Sequence, residues 1–367
     1  MTALVRFGLI GCGSIAAKHI DSISACGQAE LVALADPATD RMDLLAGQYA
    51  QARSVPPSSV ALYANPRVLL QDARVDAVVI AVPSFMHAPW TMSSLRAGKH
   101  VLLEKPIALN LRDADAIADL SVRYGLRVQV CHQLRYRPLL RLAKSWIDQG
   151  ALGKLRSGSV SILLNRSRDY FAASGWRGTW EKDGGMLLNQ GVHLIDLLLW
   201  LMNERVESVY GAIGWGSSAV ETEETAAAVI RFAGGAIGSV EVTTLCKPNN
   251  LEQSLTLVGD RGTIRIGGAK LTDVYRWHSD DLPDPMLPTA DINEHALMYE
   301  HFIAALLGAS PDSDADVLPL EARTSLEVAF AVYESARTNE PLRLPLASFD
   351  TSRMAGTKPN AQGERYR

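Results

Sequence analysis

"FGLIGCGSIAAKHI", residues 7–20, sets an apolar run against a glycine turn and then a helix-compatible stretch. The run it belongs to, "LVRFGLI" (4–10), lacks period-2 alternation, as expected of a strand buried on both faces. Gly11-x-Gly13-x-x-Ala16 lies between strand and helix. Gly11 permits the sharp turn, Gly13 lets the backbone approach a pyrophosphate, and Ala16 lets helix and strand pack closely. The start of the helix, at Ser14 and Ile15, offers unpaired N–H groups to the phosphates. The motif alone is weak, and its context strengthens it: "LVALAD" (31–36) is a second strand, closed by Asp36 20 residues past Ala16. A dinucleotide site is expected. Asp36 is placed to take both ribose hydroxyls, which favours NAD over NADP. A 2′-phosphate beside a carboxylate is repelled, and "PAT" (37–39) brings no adjacent arginine; Arg41 is the nearest offset.

Outward from that loop the first third keeps alternating. "DAVVIAV" (76–82), "HVLLE" (100–104) and "RVQVC" (127–131) read as strands, with helix-compatible stretches at 14–26, 39–50, 86–97 and 111–124. Strand–helix alternation implies a doubly wound parallel sheet. At 367 residues the chain is too long for one ordinary core. The expected division is residues 1–131 for an NAD-binding Rossmann domain, 132–346 for substrate binding and oligomerisation, and 347–367 for a small, polar, flexible tail.

After residue 131 the pattern changes. Residues 205–267 read as successive strands with tight turns. Gly234-Gly235 sits where a two-residue hairpin wants positive φ. Leu251, Leu255 and Leu257 alternate with Glu252, Ser254 and Thr256, so one face is buried and one is wet. The fold class is α/β plus α+β: a Rossmann domain, then an open, mostly antiparallel sheet covered by helices on one face. Helices near 293–308 and 319–337 follow.

A net charge of -4 gives no footprint for nucleic acid or anionic membrane. The four cysteines (Cys12, Cys26, Cys131, Cys246) make no CxxC pair and no metal-ligand spacing, so free thiols in a reducing compartment are expected and no metal. No apolar run reaches the roughly 20 residues of a spanning helix, and Gly11, Gly13, Ser14 and Lys18 interrupt the one that could imitate a signal segment. A cytoplasmic protein is the default.

The sequence resembles the glucose–fructose oxidoreductase / inositol dehydrogenase / rhizopine-catabolism (Gfo/Idh/MocA) family over nearly its whole length. The resemblance rests on Gly11–Ala16, Val82-Pro83-Ser84 with His87, Ala97-Gly98-Lys99-His100-Val101 and Glu104-Lys105-Pro106. Later come Arg135 before "YRP", "DGGMLLNQGVHLID" (183–196), and "YESA" (333–336) before "LRLPL". It implies hydride transfer with NAD at a secondary carbinol of a sugar, polyol or derivative, and a homodimer or homotetramer formed through the C-terminal sheet. Pro83, Ser84, His87 and Glu104 then join Gly11, Gly13, Ser14, Ile15 and Asp36 around the cofactor. Lys105, also at the cofactor, hydrogen-bonds the reacting oxygen, and Pro106, often cis in relatives, fixes its direction. A lysine beside an oxidised nicotinamide has a lowered pKa, which suits proton transfer near neutral pH.

"MLLNQGVHLIDLLLWL" is apolar on nearly all sides except at Asn189, His193 and Asp196, spaced four and three apart. Burying three polar groups costs several kcal/mol unless they are satisfied, so this stripe should face a site or a network. A lone histidine there is commonly a satisfied core residue; with the stripe and the resemblance, His193 reads as the acid/base. Many relatives carry aspartate at Asn189. A neutral amide can orient the histidine and cannot favour imidazolium, so Lys105 and His193 must share the proton work. Upstream, "NRSRDYFAASGWRGTWEKDGG" (165–185) supplies Arg166, Arg168, Tyr170, Trp176, Arg177 and Trp180. Rings stack on sugar C–H faces and arginines take carboxylates or phosphates. The expected substrate-binding set is Arg135, Tyr170, Trp176, Arg177, Trp180, Asn189 and His193, and the expected substrate a uronate or nucleotide sugar. Two rivals stand beside this reading: a catalytically silent NAD-sensing regulator on the same fold, and a reductase of a non-sugar cyclic ketone or imine.

Overall fold

The run that opens the chain forms β1 (Val5–Ile10), and the glycine turn delivers it to α1 (Ala16–Ala25). The computed structural model describes residues 4–216, 220–288, 293–309 and 313–359. The alternation continues through β2 (Ala29–Ala35), α2 (Thr39–Arg53), β3 (Ala61–Tyr63), α3 (Pro66–Gln71) and β4 (Ala77–Ile80), then α4 (His87–Arg96), β5 (His100–Leu103), α5 (Leu111–Tyr124) and β6 (Val128–Val130). All neighbouring strands pair in parallel, in the order β3-β2-β1-β4-β5-β6. The order reverses between β1 and β4, where a doubly wound sheet opens a crevice at its carboxyl edge.

The chain divides into two units, the first made of residues 1–108, 113–137 and 291–322, the second of 109–112, 138–290 and 323–367. The expected boundary at 131/132 therefore needs correction, because α9 (Glu294–Leu306) belongs to the first unit. Its Met298, Tyr299, Phe302 and Ile303 join the buried cluster of Phe7, Leu9, Ile20 and Leu31. Phe7 meets Tyr299 edge-on with ring centroids 5.4 Å apart. Fully burying side chains of this size stabilises by about 1.5–3 kcal/mol each.

The second unit begins with α6 (Pro138–Asp148), β7 (Leu155–Leu163), α7 (Arg168–Ala172) and α8 (Val192–Met202). Then come β8 (Val206–Gly214), β9 (Thr225–Phe232), β10 (Ile237–Thr243), β11 (Glu252–Gly259), β12 (Gly262–Gly267), β13 (Asp273–Ser279), most of α10 (Pro319–Thr338) and β14 (Leu342–Arg343). Eight strands pair in the order β13-β12-β11-β7-β10-β9-β8-β14. Only the β7–β10 pair is parallel. Leu255 and Leu257 are buried as expected, but Leu251 precedes β11 and is 66% exposed. At the β9–β10 hairpin only Gly235 has positive φ; Gly234 donates its N–H to Glu204 Oε2 at 3.0 Å.

The expected tail is corrected as well. Phe349, Thr351 and Met354 are buried, and Thr351 Oγ1 donates to the Trp180 carbonyl at 2.7 Å. Residues 360–367 of that tail lie outside the described residues. Cys12, Cys26 and Cys131 are buried free thiols and Cys246 is partly exposed. Among the described residues no helix is long and apolar enough to cross a membrane.

Candidate functional site

In the first unit the glycine loop has the shape its sequence demands. Gly11 has φ +99°, and a Cβ there would lie 2.6 Å from the Ala81 carbonyl oxygen, so no side chain fits. A Cβ on Gly13 would meet nothing within 4 Å, and Gly13 and Ser14 are exposed, with Ile15 half-buried behind them. No side chain caps α1, and Ala16 and Lys18 N–H donate to the Gly13 and Ile15 carbonyls at 3.1 and 3.0 Å. Asp36 closes β2 and clamps the loop: Cys12 N–H donates to its Oδ2 and Ala38 N–H to its Oδ1, both at 2.8 Å. A carboxylate has about four acceptor positions, so Asp36 can hold this turn and still receive ribose hydroxyls. Burial, then the Asp36 charge, pushes the Cys12 thiol up to about 12, which makes it inert. These residues fit a dinucleotide.

At the Glu104-Lys105-Pro106 step the chain leaves β5 (His100–Leu103). Glu104 turns into the core, where His19 Nε2 lies 3.1 Å from its Oε1 and Tyr299 Oη lies 2.9 Å from His19 Nδ1. Burial alone would raise its pKa; the His19 hydrogen bond and the charges around it prevail and hold it well below the carboxylate range. Lys105 is the single residue from Val101 to Leu109 that is not buried. Its bond to Pro106 is cis. His87 is enclosed, with Nδ1 2.7 Å from the Pro106 carbonyl and Nε2 2.9 Å from that of Val82. Burial pushes this imidazole down, while both carbonyls favour its doubly protonated form. Glu104 and His87 thus brace these loops. Pro83 and Ser84 follow the carboxyl end of β4.

Arg135 is buried within the first unit, where its Nη1 donates to the Asp314 carbonyl at 3.3 Å.

In the second unit a π-helical turn, Leu187–Gly191, runs directly into α8. Such turns recur at functional sites. Along α8 only His193 and Leu199 are not buried. The polar stripe divides: Asp196 faces inward and accepts a hydrogen bond from Ser325 Oγ on α10 at 3.1 Å, while His193 keeps access to solvent. Asn189 is buried, its Nδ2 donating to Asp183 Oδ1 at 2.6 Å and its Oδ1 accepting from Gln190 Nε2 at 2.8 Å.

The helix starts over a buried acid. Glu223 Oε1 accepts from Leu187 N–H and from Tyr333 Oη, each at 2.7 Å. Burial above all pushes its pKa up to about 8, with the Asp183 charge adding to the rise against the two hydrogen bonds. Gly185 makes room for this arrangement: at φ +96° a Cβ would lie 2.4 Å from Glu223 Oε2 and 2.5 Å from Tyr333 Oη. Neither Asp183 nor Glu223 was assigned a role from sequence. Within "ETEE" (221–224), Thr222, Glu223 and Glu224 are all buried.

The upstream segment also separates into two parts. Trp180 is 1% exposed and packs edge-on against Tyr333 at 5.1 Å, so it is a core residue and cannot stack on a sugar. The Arg177 guanidinium lies 4.5 Å from the Tyr170 ring centre and 5.4 Å from that of Trp176. Arg166 lies 5.2 Å from the Tyr170 ring. Among the described residues neither Arg166 nor Arg177 pairs with a carboxylate. Two cations thus share one aromatic ring without a counter-charge.

Comparison with known proteins follows the same division. An oxidoreductase family with an NAD-binding Rossmann fold matches residues 5–132, and the GFO/IDH/MocA C-terminal domain matches 140–265. The WlbA dehydrogenase of Bordetella pertussis, solved in complex with NADH and UDP-GlcNAcA, is 34% identical, with 94% of this chain and 99% of that chain covered and a TM-score of 0.83. Inositol 2-dehydrogenase of Rubrobacter xylanophilus is 27% identical over 359 residues, 93% of each chain. Myo-inositol 2-dehydrogenase of Thermotoga maritima is 26% identical over 277 residues, 74% of this chain and 77% of that one. With both halves matched and this identity sustained over the full fold, the chain belongs to the GFO/IDH/MocA family of NAD-binding oxidoreductases.

Proposed function

We propose that this protein is an NAD-dependent dehydrogenase of a sugar that carries a carboxylate or phosphate, with a uronate or nucleotide sugar as its substrate. The observation that carries this reading is the uncompensated pair Arg166 and Arg177 around Tyr170. The similar WlbA dehydrogenase was crystallised with UDP-GlcNAcA, which makes that compound the first to try. Arg177, seated over the Tyr170 and Trp176 rings, offers its donors to the anion. His193 takes the proton of the reacting hydroxyl, and Lys105 hydrogen-bonds the same oxygen and stabilises its developing charge. Gly11, Gly13, Ser14, Ile15, Asp36, Pro83 and Ser84 hold NAD, which when bound accepts the hydride. A bidentate arginine contact contributes about 1.5–3 kcal/mol, tenfold or more in preference. The test is kcat/KM for matched pairs, a sugar against its uronate, with and without Arg177→Ala. The expected result is a preference for the anion that collapses in the variant. A neutral polyol outperforming every anionic analogue would refute the reading.

The cofactor reading has its own test. NAD(H) is expected to bind at least about tenfold tighter than NADP(H), because a 2′-phosphate clash with Asp36 costs on the order of 1.4 kcal/mol. Fluorescence titration measures both affinities, and equal values remove Asp36 from this role. For assembly, the outer sheet face supports a homodimer or homotetramer formed through the second unit. Tyr210, Val229, Ile237 and Val258 are exposed along β8 to β11, on strands whose alternate residues are buried.

A further inference from the structure

Four side chains on and around the π-helical turn make one directional hydrogen-bond chain. Arg166 Nη2 donates to Gln190 Oε1 at 3.4 Å, Gln190 Nε2 to Asn189 Oδ1 at 2.8 Å, and Asn189 Nδ2 to Asp183 Oδ1 at 2.6 Å. Every donor points the same way, from the arginine to the buried acid. Asp183 is 1% exposed, and its other oxygen accepts the Gly178 N–H at 2.9 Å. The orientation of the Asn189 amide is therefore fixed from both sides, with its NH₂ toward the carboxylate. Aligned dipoles in a low-dielectric interior reinforce one another.

An amide in this position cannot favour an imidazolium by its own charge. The chain supplies that charge from behind it. We propose that Asp183 is a positioning residue for the reaction: it holds the negative charge that serves His193 and delivers it through the polarised, orientation-locked amide of Asn189. Asn189 lies four residues before His193, in the π-helical turn that runs directly into α8. The inference rests on the reading of His193 as the acid/base. It also gives Arg166 a second consequence. An anion engaging Arg166 competes with Gln190 for the same guanidinium, so substrate charge and the setting of the base are linked through one side chain.

The test is the pH dependence of kcat in the oxidation direction, where activity rises as the base loses its proton. Removing a nearby negative charge makes imidazolium less favourable and lowers the apparent pKa of that limb. Asp183→Asn is expected to move the limb down by about one pH unit. The exchange variant Asp183→Asn/Asn189→Asp, which returns a carboxylate to the pair, is expected to bring it back. Asn189→Leu leaves the Gly178–Asp183 bond in place and cuts the delivery, so it is expected to give the same downward shift should Asp183→Asn fold poorly. Combining Asn189→Leu with Asp183→Asn then adds no further shift. A limb that stays in place in the folded variants, with kcat merely reduced, makes the network structural and overturns the proposal. His193→Ala distinguishes this failure from the larger one: if that variant still turns over, the acid/base reading itself falls.

Discussion

Replacing Lys105 or His193 by alanine is expected to lower kcat by roughly 10² or more while leaving NAD affinity within a few-fold. Each residue emerges from surroundings that are otherwise closed. Lys105 is the one accessible residue in the stretch Val101–Leu109, and His193 is the one accessible polar residue of α8. Neither fills the core, so truncation removes chemistry more than packing, and thermal midpoints should move by only a few degrees. In the proposed mechanism the two groups serve one step, so the losses are expected to be non-additive and the double variant to fall little below the worse single one. Steady-state kinetics with saturating NAD, paired with a fluorescence titration, separates the two effects. Near-normal turnover in His193→Ala would mean that the polar stripe is structural and the mechanism wrong.

The second large effect concerns stability. Glu223 keeps its proton in the folded chain up to about pH 8, whereas an unfolded glutamate releases it near 4.5. Between those values the native state binds the extra proton, so stability is greatest below the unfolded pKa and is lost as pH rises toward 8, with no further change above it. A loss of about 5 kcal/mol accompanies that rise. Glu223→Gln removes this dependence, because a glutamine still accepts the Leu187 and Tyr333 hydrogen bonds and never ionises. Urea midpoints from pH 5 to 9 should show wild type losing several kcal/mol relative to the variant, with the variant the more stable at pH 8–9. The difference between the two proteins isolates Glu223 from histidines that titrate over the same range. Parallel curves for the two proteins would mean that Glu223 is ionised throughout.

The first sheet was legible because its signals are local. Unbroken apolar runs, a glycine turn with Asp36 at a fixed spacing, and helix-length intervals each reside in a single stretch of chain. β7 was not foreseen, although Gly158, Val160 and Ile162 alternate with serines between Gly153 and Asn165. Lys105, Asn189 and His193 stood out in the sequence because each is a polar residue in a largely apolar stretch. The surroundings of Glu104, Trp180, Arg135 and His87 were not legible, because position in sequence does not reveal which way a side chain turns. Asp183 and Glu223 could not have been found from spacing: their importance lies in tertiary partners, Asn189 Nδ2 in one case and the Leu187 N–H in the other.

The first unit is closed by a helix that arrives late. Strands β1 to β6 are all translated before residue 131, yet Met298, Tyr299 and Phe302, which cover Phe7 and its neighbours, come from α9. On the ribosome the nucleotide-binding sheet therefore waits, with part of its apolar surface uncovered, while β7 to β13 of the second sheet are made. Domain-by-domain folding in order of synthesis cannot apply to this chain. A gene cut after residue 137 would encode a Rossmann sheet with an open flank, dependent on chaperones, and a functional cofactor-binding fragment would need α9 spliced back onto it.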